Sequence, residues 1–224
     1  MASTVIPFIH PSTVVVNGPT GCGKTELVKA ILMNKEKMFQ PAPDQIVWHG
    51  AERQPRLEAA LKEYGVEFRQ GLPSVDEYDG KQRVVLVVDD FMSESGPEIA
   101  KLFTKGSHHR NITIFFLTQN FYYKGKEMRT ITLNAQYIVL FKNPRDKQQI
   151  KTIARQMFDT DAAYMLEAYN DATSHPHGYL LVDMKQATSD MLRLRTNITP
   201  EDTPTHVYIP KSQARRDIID VQSV

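Results

Sequence analysis

The densest chemistry in this sequence lies in one short run, Gly18-Pro19-Thr20-Gly21-Cys22-Gly23-Lys24-Thr25. Its spacing, G-x-x-x-x-G-K-[ST], is that of a phosphate-binding loop. The glycines let the backbone turn so that successive N–H groups face a phosphate. A following helix N-terminus adds further donors and a dipole that favours negative charge. Lys24 is placed to reach the β- and γ-phosphates of a nucleoside triphosphate, and the Thr25 hydroxyl to ligate Mg2+. With the adjoining Glu26, these residues are the nucleotide-binding candidates.

Magnesium needs a second protein anchor, and an attacking water needs a base. Residues 84–88 are uniformly apolar and run into Asp89 and Asp90. A strand ending in two carboxylates is the Walker B form. Asp89 is expected to hold the metal, through its water shell, and Asp90 to polarise the attacking water. Related sites often carry glutamate at the second position, so the shorter Asp90 departs from that pattern. A third apolar stretch, 112–118, ends at Gln119, whose amide would stand beside the γ-phosphate as a sensor. Cys22 lies within the loop, where a helix N-terminus lowers a thiol pKa. A small space-filling role is its plainer reading.

These groups need a scaffold that brings strand ends together. Apolar, β-branched runs at 13–16, 45–48, 84–89, 112–118, 137–141 and 179–182 read as strands, several apolar on both faces. Helical periodicity separates them at 23–33, 55–64, 97–105, 146–157 and 161–170. The alternation predicts an α/β P-loop NTPase fold with a mostly parallel central sheet flanked by helices. The strand at 45–48 suggests an additional strand between the loop strand and the Asp89 strand, as in the RecA-like motor branch. Residues 71–80 and 174–178 read as exposed connections, neither long enough to divide the chain. The expected organisation is one motor domain over 1–210 and a C-terminal tail over 211–224.

Bulk composition narrows the class. The 224 residues are 41% hydrophobic and 24% charged with a net charge of +1, an ordinary globular mixture. Nucleic acid would have to be held by local patches instead of overall charge. One cysteine allows no intrachain disulfide. No apolar run approaches the roughly 18–20 residues that cross a bilayer, and the opening MASTVIPFIHPST lacks the charged start of a signal peptide. An intracellular protein without membrane attachment is the expectation.

Several longer stretches carry a resemblance. Residues 17–25, 85–92, 102–120 (LFTKGSHHRNITIFFLTQN), 124–133 (KGKEMRTITL), 137–146 (YIVLFKNPRD) and 177–183 (HGYLLVD) resemble the viral genome-packaging ATPases of the FtsK–HerA superfamily. They are nearest the poxvirus-type enzymes and their relatives in Polinton (Maverick) elements and adinto- or adenovirus-like viruses. The resemblance implies a homo-oligomeric ring, a pentamer or hexamer, that uses ATP and Mg2+ to drive double-stranded DNA into a preformed capsid. It also implies capsid or portal vertex partners and a virus-infected host cell. In such rings an arginine of one subunit completes the site of the next. Arg110 is the first candidate, with Arg129 and Arg145 as alternatives.

Local charge supplies a candidate DNA-facing surface: Lys101, Lys105, His108, His109 and Arg110, then Lys124, Lys126 and Arg129, with Tyr122 and Tyr123 between. A few lysines per subunit multiply around a ring, and backbone contacts imply no base preference. The pairs His108-His109 and His175-Pro176-His177 do not make a zinc site, since no second half accompanies them. Asn34-Lys35 does not resemble a guanine-reading motif, and the preference for adenine is mainly what the family resemblance implies. Three other readings stay open: a different FtsK–HerA-type DNA pump or helicase, a small P-loop kinase, and a nucleotide-gated assembly protein.

Overall fold

The computed structural model describes residues 5–89, 91, 96–119, 126–145, 147–158, 161–202 and 204–210. In chain order the elements are β1 (Phe8–Ile9), β2 (Thr13–Asn17), α1 (Lys24–Met33), α2 (Lys35–Met38), β3 (Phe39–Gln40) and β4 (Gln45–Gly50). Next come α3 (Pro55–Leu61), β5 (Val66–Gln70), β6 (Val84–Asp89), α4 (Gly96–Lys101), α5 (Ser107–Arg110) and β7 (Ile112–Thr118). The chain continues through α6 (Lys126–Leu133), β8 (Tyr137–Phe141), α7 (Lys147–Phe158), α8 (Ala162–Ala172), β9 (Tyr179–Asp183), β10 (Leu194–Thr196) and β11 (His206–Tyr208).

Nine strands form one sheet in the order β11-β10-β9-β8-β2-β7-β6-β4-β5. From β8 across to β5 every neighbouring pair is parallel, while β8-β9, β9-β10 and β10-β11 are antiparallel. The parallel strands are buried on both faces, which is why their sequences are nearly continuous Val, Ile, Leu and Phe. Alternate residues feed two cores. Val14, Val16, Val85, Val87, Phe115 and Leu117 pack under α1–α3. Val15, Leu86, Val88, Ile114 and Phe116 pack under the later helices.

The predicted strands are all present, and the helices agree to within a few residues. The helix expected at 97–105 extends to Arg110 through a π-helical turn at Leu102–Gly106. One placement is corrected. Strand β4 lies outside β6, and the strand between β2 and β6 is β7. Sequence order suggested the other arrangement, but a parallel crossover can skip a position that a later strand fills. The connection at 71–80 is also less exposed than expected: Pro73 and Tyr78 are buried, and Val75–Glu77 forms a 3-10 turn. Among the described residues no helix is long and apolar enough to cross a membrane.

Strands β5, β10 and β11 and the β1–β3 pair were not legible as strands. They are two to five residues long, and β5 carries Glu67 and Arg69, an ion pair that suits an exposed edge.

Candidate functional site

The carboxyl ends of β2, β6 and β7 converge. Asn17 pairs with Thr118 in the β2–β7 register, and Asp89 pairs with Leu117 in the β6–β7 register. Chain direction across the sheet also reverses here. From β2 the chain crosses to β4 on one side, and from β7 it crosses to β8 on the other. Open α/β sheets bind ligands at such a crevice.

The glycine-rich loop leaves β2 at Asn17 and enters α1 at Lys24. A Cβ on Gly18 would lie 2.6 Å from both Cys22 Sγ and Phe141 Cβ. Only glycine fits the close passage of the loop over β8. Gly23, the N-cap of α1, has φ of +111°, a left-handed conformation that side chains rarely adopt. The Gly18 N–H donates to Thr118 O at 3.1 Å, and the Cys22 N–H to Pro19 O at 3.2 Å. These bonds tie the loop to β7 and close its turn.

Helix α1 is held by Leu27, Val28, Ile31 and Leu32, all buried against the sheet. This face fixes its N-terminus beneath the loop. Lys24 Nζ donates to Gly18 O at 2.6 Å and Pro19 O at 3.2 Å. The ammonium is therefore held over the loop by weak carbonyl partners that an anionic group can outcompete.

Strand alternation decides where Asp89 stands. Val85 and Val87 belong to the core under α1–α3, so Asp89 faces the same side as the start of α1. It is 7% exposed and accepts a hydrogen bond from Gln54 Nε2 at 3.2 Å. Thr25 and Asp89 offer a hydroxyl and a carboxylate, the hard oxygen donors that suit Mg2+. Among the described residues there is no cluster of three His, Cys, Asp or Glu that makes a self-contained metal cage. A two-residue donor set of this kind leaves room for phosphate oxygens and water.

Beside the loop opens a pocket of about 700 Å3. One wall is α1, with Glu26, Leu27 and Ala30; the other is the turn before β9 and the segment after β10. Phe141 and Tyr179 form an apolar floor, their rings 5.4 Å apart. Its size is that of a small-molecule site. His177, with φ of +60°, brings Nδ1 to 3.1 Å from Cys22 O, linking the far wall to the loop. Glu201 accepts from Asn34 Nδ2 at 2.8 Å and ties the wall to the end of α1.

Burial pushes the Cys22 thiol pKa up, and the opposing pull of Lys24 does not offset it. Cys22 Sγ lies close against Gly18, a placement that suits the space-filling reading.

Gln119 follows β7 at the same edge as the loop and is exposed. Arg110 stands at the opposite edge, one β7 length away, about 23 Å at strand rise. Its guanidinium lies 3.6 Å from the exposed Asp76. Such an arginine cannot serve the loop of its own chain. Lys101, Lys105, Arg129 and Arg145 are exposed. Asp90, Tyr122, Tyr123, Lys124 and the 211–224 tail lie outside the described residues, as do the side chains of His108, His109 and Lys126.

Sequence reading passed over Gln54 and set His177 aside. A glutamine preceding the helix-initiating Pro55 was the available signal for the first, and the 177–183 stretch for the second.

Set against known protein families and curated proteins, the sequence matches no family model and no curated protein.

Proposed function

We propose that this chain is a P-loop NTPase of the additional-strand motor branch, an ATPase that drives double-stranded DNA into a preformed capsid. The single observation that carries the reading is the meeting of the glycine-rich loop, Lys24 and the buried Asp89 at one carboxyl edge. The position of β7 between β2 and β6 supports the motor branch. The adjacent pocket has the volume and the mixed apolar and polar walls for a nucleoside.

In this reading the loop N–H groups and Lys24 bind the phosphates, while Thr25 and Asp89 hold magnesium. When bound, the metal neutralises phosphate charge and aligns the terminal phosphoryl group. Asp90 accepts the proton of the attacking water, and Gln119 senses the terminal phosphate from the end of β7. Phe141, Tyr179 and the His175–His177 turn enclose the base and ribose. The distance of Arg110 from its own loop favours action in trans, which requires a homo-oligomeric ring. Exposed Lys101, Lys105 and Arg129 supply backbone contacts to DNA, and capsid or portal proteins dock the ring inside the infected cell.

The test is ATP hydrolysis with and without double-stranded DNA over a range of protein concentrations. The motor reading expects turnover that rises with DNA and more than linearly with protein. Asp90→Asn should keep ATP binding and lose about 10²- to 10⁴-fold in turnover. Arg110→Ala should be inactive alone and regain activity in rings mixed with wild-type subunits. Turnover that needs a small phosphate acceptor and ignores DNA would make the chain a kinase instead.

A further inference from the structure

Gln54 occupies the N-cap of α3, yet its side chain makes no cap hydrogen bond. Nε2 reaches Asp89 Oδ2 at 3.2 Å instead. Residues chosen for capping are Ser, Thr, Asp or Asn, and glutamine is not among them. The helix is started by other means. Pro55 sits in its first turn, and the Glu58 N–H donates to Gln54 O at 2.9 Å. Next to it, Arg53 is pinned by Glu58 at 2.8 Å. The backbone of Gln54 is thereby fixed while its amide is committed to the carboxylate at the end of β6. Gln54 also shares the wall of the cleft between α1 and α3 with Thr25. Gln54 thus touches one expected magnesium donor, Asp89, and shares a cleft wall with the other, Thr25.

We infer that Gln54 is a positioning residue for the magnesium carboxylate Asp89. The inference rests on the nucleotide reading above. A carboxylate at a strand end can rotate about its terminal torsion. A donor on one oxygen restricts that rotation and fixes the plane of the group. Partners of this kind orient metal ligands, and their loss typically costs about 10- to 100-fold in metal affinity or activity.

The experiment titrates Mg2+ into full-length protein holding N-methylanthraniloyl-ATP, for wild type, Gln54→Leu, Gln54→Ser and Gln54→Asn. Thermal unfolding without nucleotide is measured alongside. Gln54→Leu and Gln54→Ser should raise the Mg2+ midpoint about 10- to 100-fold and leave magnesium-free nucleotide affinity unchanged. Gln54→Ser should match or exceed the wild-type melting temperature, because serine is the better cap. Gln54→Asn, which keeps the amide, should recover part of the Mg2+ response. An unchanged midpoint in Gln54→Ser, with wild type responding normally, would reduce Gln54 to a structural tie. So would a midpoint that moves only in step with melting temperature. A wild-type protein that binds no magnesium nucleotide would overturn the nucleotide reading and this inference together.

Discussion

The two ends of the central strands bury polar groups in equal measure and use them differently. At the amino ends of β2 and β7, His10, Asn111 and Thr113 satisfy one another, while Ser12 Oγ is buried without a hydrogen-bond partner. His10 Nε2 lies 3.2 Å from both the backbone O and Oδ1 of Asn111, and His10 Nδ1 lies 2.7 Å from Thr113 Oγ1. Thr113 Oγ1 also accepts from the Ser12 N–H at 3.1 Å. At the carboxyl ends, Lys24 rests on loop carbonyls, Asp89 accepts from the Gln54 amide, and Asn17 Nδ2 is buried without a hydrogen-bond partner. Burial of polar atoms therefore does not mark a site by itself. What distinguishes the carboxyl edge is the company of Lys24, the glycine-rich loop and the start of α1 beside a pocket.

The contrast is broken most strongly by Lys24→Ala. A hydrogen bond to a charged group is worth about 1.5–3 kcal/mol, so losing two to phosphate should weaken ATP at least roughly 100-fold. Isothermal titration would read the loss, with melting temperature little changed. Gly18→Ala should damage both properties. The added methyl meets Cys22 and Phe141, costing about 1–3 kcal/mol of stability and displacing the loop that binds phosphate. Denaturant unfolding and nucleotide titration would show the two losses together.

Thr113→Val sharpens the comparison from the other end. It keeps the side-chain shape but leaves His10 Nδ1 and the Ser12 N–H unpaired, costing about 2 kcal/mol. ATP affinity should stay at the wild-type value. The smallest effect concerns pH. Burial lowers the pKa of His10 and of His49 below the ordinary 6.5. The unfolded chain then binds more protons than the folded one between those values, so stability is full above about pH 6.5 and falls as the solution is acidified. Melting temperature measured from pH 7.5 down to 5 should decline, and His49→Asn should flatten the slope.

Much of this was legible in the sequence for a physical reason. Strands β2, β6 and β7 are buried on both faces, so their apolar runs are unambiguous, and the residues that end them form the candidate site. The loop from Gly18 to Thr25 was readable because close backbone approach demands glycine at fixed spacing. What was not legible depends on pairing between distant segments. The Gln54–Asp89 contact joins the start of α3 to the end of β6, and nothing in either segment alone announces it. The pocket wall from Asn197 to Asp202 follows β10, a three-residue strand whose polar sequence resembles a loop. The neighbours of β2 could not be ordered, since several crossovers satisfy the same alternation.

The most direct measurement is Mg2+-dependent binding of a fluorescent ATP analogue to wild type, Lys24→Ala and Thr113→Val side by side. Wild type and Thr113→Val should bind alike and Lys24→Ala should not, which would place the nucleotide at the carboxyl edge. Equal binding by Lys24→Ala, or loss in Thr113→Val without unfolding, would contradict that placement.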